Sequence, residues 1–66
     1  MQNDNFLEIS FVYTFFKLGI AAETIEAKSN SEAFSKLHKR GYTVEMIDYF
    51  VRYNKIDKSY DLMKIK

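Results

Sequence analysis

The stretch LEISFVYTFF, residues 7 to 16, alternates with a period of two: Leu7, Ile9, Phe11, Tyr13 and Phe15 fall on one side, Glu8, Ser10, Val12, Thr14 and Phe16 on the other. Such alternation predicts a strand, whose successive side chains point to opposite faces of a sheet. The apolar density is high enough to satisfy a helical period as well. The β-branched and aromatic residue types favour the strand. Rings emerge on both sides, so this strand needs cover on two faces, and that need constrains the rest of the chain.

KLGI follows, and Gly19 suits the positive φ of a tight turn. A second strand is expected over residues 22 to 28, AETIEAK, with Ile25 and Ala27 facing inward and Thr24, Glu26 and Lys28 outward. Ser29 followed three residues later by Glu32 has the form of a capping box and predicts a helix start. Ala33, Phe34 and Leu37 make one apolar stripe, with Ser35, Lys36, Lys39 and Arg40 on the wet side. Gly41 fits the left-handed position after the last turn, where Tyr42 can fold back on Leu37.

YTVEMIDYFVRYN, residues 42 to 54, supports two readings. As a strand it sets Ile47, Tyr49, Val51 and Tyr53 on one side and Val44, Met46 and Phe50 on the other. As a helix it has Thr43 as cap, a stripe of Val44, Ile47, Phe50 and Val51, and an Asp48 to Arg52 pair. The density of Tyr, Phe, Val and Ile favours the strand. NKIDKS reads as a polar loop and YDLMKIK as a closing strand. The expected fold is α+β, in the order ββαββ: a four-stranded, mostly antiparallel sheet with one helix on one face. The whole chain, 1-66, reads as a single domain.

At 66 residues the chain sits near the size where burial only just outweighs chain entropy. It has no cysteine, so no disulfide or thiolate-held zinc can staple it. A dense core or self-association must supply the stability, and the 47% hydrophobic and 17% aromatic content provides for both. The net charge of +1 conceals a division: residues 1 to 27 hold one Lys against four acids, net −3, and residues 28 to 66 hold nine Lys or Arg against five acids, net +4. A near-neutral total argues against strong non-specific affinity for nucleic acid, while leaving room for a local basic patch. No stretch approaches the ~20 apolar residues of a membrane span, and the opening MQNDNF lacks a basic signal-like start. A cytoplasmic location without membrane contact is expected.

Few residues suggest chemistry. His38 lies at the helix end beside Lys39 and Arg40, where it complements the helix dipole, and no nucleophile or orienting group is near it in sequence. The acid pairs Glu23 with Glu26, Glu45 with Asp48, and Asp57 with Asp61 read as solvated decoration, because paired-carboxylate chemistry needs a cleft. Gly19 and Gly41 stand alone, so no phosphate loop is present, and one histidine without cysteine makes no transition-metal site. No enzyme, cofactor or metal is expected.

Since one helix can cover only one face, the second face is expected to dock on a partner through Val12, Phe16, Met46 and Phe50, or with Ile47, Tyr49 and Val51 as the alternative contribution of the third strand. The expectation is therefore a small interaction protein, a regulator or inhibitor, that binds another protein or a second copy as a homodimer, by this face or by a strand edge. The alternative is a single-stranded nucleic-acid binder, with Lys36, Lys39 and Arg40 on phosphates and Tyr49 and Tyr53 stacking bases.

Overall fold

The computed structural model describes residues 10–65, so the predicted strand positions Leu7, Glu8 and Ile9 lie outside the described residues. Four strands form one sheet: β1 (Phe11–Lys17), β2 (Ile20–Ala27), β3 (Tyr49–Asn54) and β4 (Ser59–Lys64). A single α-helix, α1 (Asn30–Lys39), and a 3-10 turn (Val44–Met46) connect β2 to β3. The chain order is the expected ββαββ, and in space the strands run β2-β1-β3-β4 with every neighbouring pair antiparallel.

Local chemistry explains the element ends. The β1–β2 hairpin closes through Leu18 and Gly19, both at positive φ (54° and 78°), the combination that a two-residue turn of the I′ type requires. Helix α1 starts where Ser29 Oγ accepts from the Glu32 N–H at 3.1 Å, while the Glu32 carboxylate accepts from the Lys28 N–H at 2.6 Å. It ends in a Schellman pattern: Gly41 N–H donates to His38 O and Tyr42 N–H to Leu37 O, with Gly41 at φ 95°. In the β3–β4 loop, Asn54 Oδ1 accepts from the N–H groups of Ile56 and Asp57, and Lys58 takes the left-handed position at φ 58°.

The core lies between α1 and one face of the sheet. Tyr13, Phe15, Ile25, Ala27, Ala33, Leu37, Ile47 and Phe50 are buried there, with Phe11, Phe34, Tyr42, Met63 and Ile65 packed around them. Phe15 and Phe50 are opposed across β1 and β3 with ring centroids 5.4 Å apart, and Phe34 of α1 meets both rings edge-on at 5.4 Å. Each fully buried side chain of this size contributes about 1.5–3 kcal/mol of transfer free energy, which is how so short a chain sustains a core without covalent staples.

Residues 43 to 53 are not one strand. Val44–Met46 forms the 3-10 turn and β3 begins only at Tyr49. The helical reading fails, since the turn is three residues long and the Thr43 side chain makes no cap hydrogen bond, and the extended reading holds only from Tyr49. Between them Asp48 bends the chain: its N–H donates to Phe16 O, its carboxylate accepts from the Leu18 N–H at 2.9 Å, and its carbonyl accepts from Ile65 N–H. The bend changes the phase of the alternation, so Ile47 and Phe50 both enter the core. The expected helical Asp48 to Arg52 pair gives way to Arg52 Nη2 on Asp61 Oδ2 at 2.9 Å, across β3 and β4.

Candidate functional site

The reverse of the sheet follows from the register. Residues directly opposed in antiparallel strands share a face. Starting from Val12, Thr14 and Phe16, the pairing brings in Tyr53, Val51 and Tyr49 of β3, then Tyr60, Leu62 and Lys64 of β4. Glu26 and Thr24 of β2 border the other side. Phe16 stacks flat on its cross-strand partner Tyr49 (4.8 Å, 11°), and Tyr53 meets Tyr60 at 4.7 Å. The rings on the central strands shield one another and are half-buried, whereas Tyr60 and Leu62 are 71% and 60% exposed. Lys55 and Ser10 hydrogen-bond the Glu26 carboxylate at one corner, and the Lys55 bond first of all holds its pKa below the usual carboxylate value.

The anticipated docking residues are distributed differently from the expectation. Val12 and Phe16 do occupy the face away from the helix. Phe50 does not: it is 4% exposed and belongs to the core, because the bend at Asp48 sends it toward α1. Met46 is exposed but sits in the 3-10 turn, off the sheet, at the end of the molecule where Asp48 holds the tip of the first hairpin. That tip carries Leu18 and Ile20, 80% and 70% exposed. Of the alternative set, Tyr49 and Val51 line the open face and Ile47 is buried. Tyr60 and Leu62 were not singled out from the sequence. Their alternation with Asp61 and Met63 is visible there, but the face they share emerges only once β4 is placed beside β3.

The basic group on the helix has a different task. Lys36 Nζ donates to Glu26 O (2.9 Å), Arg40 Nη1 to Thr24 O (3.3 Å) and Tyr42 Oη to Ala22 O (3.4 Å). These are alternate carbonyls along the outer edge of β2, so the helix and its C-terminal turn close that edge of the sheet. Arg40 also pairs with Glu23 at 2.8 Å. Lys36, Lys39 and Arg40 therefore belong to the helix layer, while Tyr49 and Tyr53 lie on the opposite face of the sheet, and the predicted phosphate and base contacts are not brought together. His38 is exposed at the helix end.

A polar cluster lies on the helix side of the sheet. Tyr13 Oη donates to Asn30 Oδ1 at 2.7 Å, Arg52 Nη1 reaches the same oxygen at 3.4 Å, and the Arg52 guanidinium lies 4.8 Å from the Phe11 ring centre. Arg52 Nε is buried without a hydrogen-bond partner. Burial pushes the Tyr13 hydroxyl pKa up, with Arg52 acting in the opposite sense. Among the described residues no pocket is found, no three His, Cys, Asp or Glu are grouped to hold a metal, and no helix is long and apolar enough to cross a membrane. Comparison with known proteins finds no matching family model, curated protein or solved structure.

Proposed function

We propose that this chain is a non-enzymatic binding module that docks on the apolar surface of another protein through its open sheet face and acts as a regulator or inhibitor by occlusion. One observation carries this reading: Val12, Phe16, Tyr49, Val51, Tyr53, Tyr60 and Leu62 form a contiguous face that no described element covers. Its pattern is that of a protein interface, with aromatic and branched residues central and Thr24, Glu26, Lys55 and Lys64 at the rim. The stacked rings are already ordered, so binding immobilises few of the side chains that make contact.

The nucleic-acid reading retains the tyrosines but not the charge. Phosphate contacts by a group of Lys and Arg would give steep salt dependence, yet Lys36 and Arg40 are engaged on the β2 edge in the other layer. A photo-crosslinker installed at Val51 is the direct test, with products identified by mass spectrometry. Crosslinks to one protein, lost on Phe16→Glu and retained on Lys39→Glu, are the expected result. Adducts unchanged by Phe16→Glu, or salt-sensitive binding to a labelled single-stranded oligonucleotide, overturn it.

A further inference from the structure

The two edges of the sheet are treated differently. Every second carbonyl of β2 from Ala22 to Glu26 is capped by a side chain from α1 or its C-terminal turn. Among the described residues no side chain reaches the corresponding groups of β4. An open edge is a template for further strand pairing, and proteins ordinarily blunt it. Here one edge is blunted and, among the described residues, the other is bare.

The exposed groups of β4 follow from hydrogen-bond parity. Ile65 N–H donates to Asp48 O, in line with the register that opposes Tyr49 to Lys64 and Phe50 to Met63. Alternation then makes Phe50 with Met63 and Arg52 with Asp61 the hydrogen-bonded pairs within the sheet. The N–H and C=O groups of Tyr60, Leu62 and Lys64 consequently point outward.

We propose that β4 pairs with β4 of a second copy of this chain, antiparallel, about a two-fold axis at Leu62. This rests on the reading of the protein as a binding module and names one of its partners. A two-fold axis normal to the sheet preserves faces, so it must pass through a residue position, and only Asp61 or Leu62 pairs most of β4 with itself. An axis at Asp61 opposes the two Asp61 carboxylates and sets Lys58 against Lys64 of the second copy. Like charges directly opposite are unfavourable. An axis at Leu62 opposes Leu62 to Leu62 and the Tyr60 ring to the Lys64 ammonium of the second copy, and on the helix side Asp61 to Met63.

In that register each outward-facing residue meets another outward-facing residue, so the free N–H and C=O groups of Tyr60, Leu62 and Lys64 are all satisfied. The contact is isologous and closes on itself. The capped β2 edges then stand at both ends of the joined sheet and stop further growth. Both helices lie on one side, and the two open faces merge through Tyr60 and Leu62 into one surface.

Sedimentation velocity over a concentration series tests the pairing. The expected species is a monomer–dimer equilibrium. Leu62→Pro removes an outward donor that β3 does not use, and edge strands tolerate proline at such a position. It should give a folded monomer. Should that variant lose its circular dichroism spectrum, Tyr60→Lys sets two ammonium groups opposite each other and should weaken association about tenfold or more, roughly 1.4 kcal/mol. Adding Lys64→Glu to Tyr60→Lys should restore it. A wild-type chain that stays monomeric throughout, or a dimer indifferent to Tyr60→Lys, overturns the proposal. Crosslinking from Val51 to another protein in a monomeric chain removes the edge pairing alone, whereas a dimer whose Val51 crosslinks ignore Phe16→Glu removes the face reading alone.

Discussion

At the scale of single residues, the conspicuous position is Leu18. A leucine at φ 54° carries the steric penalty of the left-handed region, about 1–2 kcal/mol, and its side chain is 80% exposed. Leu18→Asn creates the Asn-Gly pair that a I′ turn prefers. It should raise stability by about 1 kcal/mol, or about 4–8 °C in Tm for a domain of this size, measurable by thermal unfolding. Tyr13 sets an alkaline limit. Its folded pKa is raised by burial, so the stability it contributes is complete below the free-tyrosine value of about 10 and is lost as pH rises through the folded value. Unfolding free energy measured against pH should fall in that alkaline range, and less steeply for Tyr13→Phe. At neutral pH the same substitution should cost about 1 kcal/mol, because Asn30 Oδ1 loses its best donor. Glu32 acts in the opposite sense. The Lys28 N–H lowers its carboxyl pKa, so that contribution is present above the unfolded value and lost as pH falls through the folded one.

At the scale of elements, α1 holds its own ends and also closes the edge of β2. Ser29→Ala should cost about 1 kcal/mol by freeing the Glu32 N–H. At Gly41 a Cβ would meet nothing within 4 Å. The expected cost of Gly41→Ala, about 1–2 kcal/mol, therefore comes from the positive φ alone. Removing the edge caps together, as Lys36→Ala, Arg40→Ala and Tyr42→Phe, should uncover a second strand edge and convert the proposed closed dimer into an open-ended assembly. Light scattering at rising concentration should then increase without limit, where the dimer proposed for the wild-type chain should bring it to a plateau. Helix α1 was legible in the sequence down to its Ser29 cap and Gly41 stop, because capping is chemistry among near neighbours. The segment from Val44 to Asn54 was not, because what divides it is the contact of Asp48 with Phe16 and Leu18, thirty residues distant along the chain in the second case.

At the scale of the whole molecule, the two sides of one strand should answer differently to mutation. Phe50→Ala removes a ring packed against Tyr13, Phe15 and Phe34 and should cost about 3–5 kcal/mol, enough to unfold much of a marginal domain. Its neighbour Val51 faces the open side, and Val51→Thr should cost less than about 1 kcal/mol while weakening partner capture. Urea titration of both variants separates core from surface without reference to any partner.

The sequence by itself determined the order of the first three elements, the limits of α1 and the division of β1 into an inner row of Phe11, Tyr13 and Phe15 and an outer row of Val12, Thr14 and Phe16. Those are consequences of period and capping, which act over a few residues. Tertiary structure alone decided that Phe50 is core while Tyr49 is surface, that Lys36 and Arg40 close an edge, and that no described side chain caps the outer edge of β4. Each of these depends on strand order and register, and those are set by which distant segments pair.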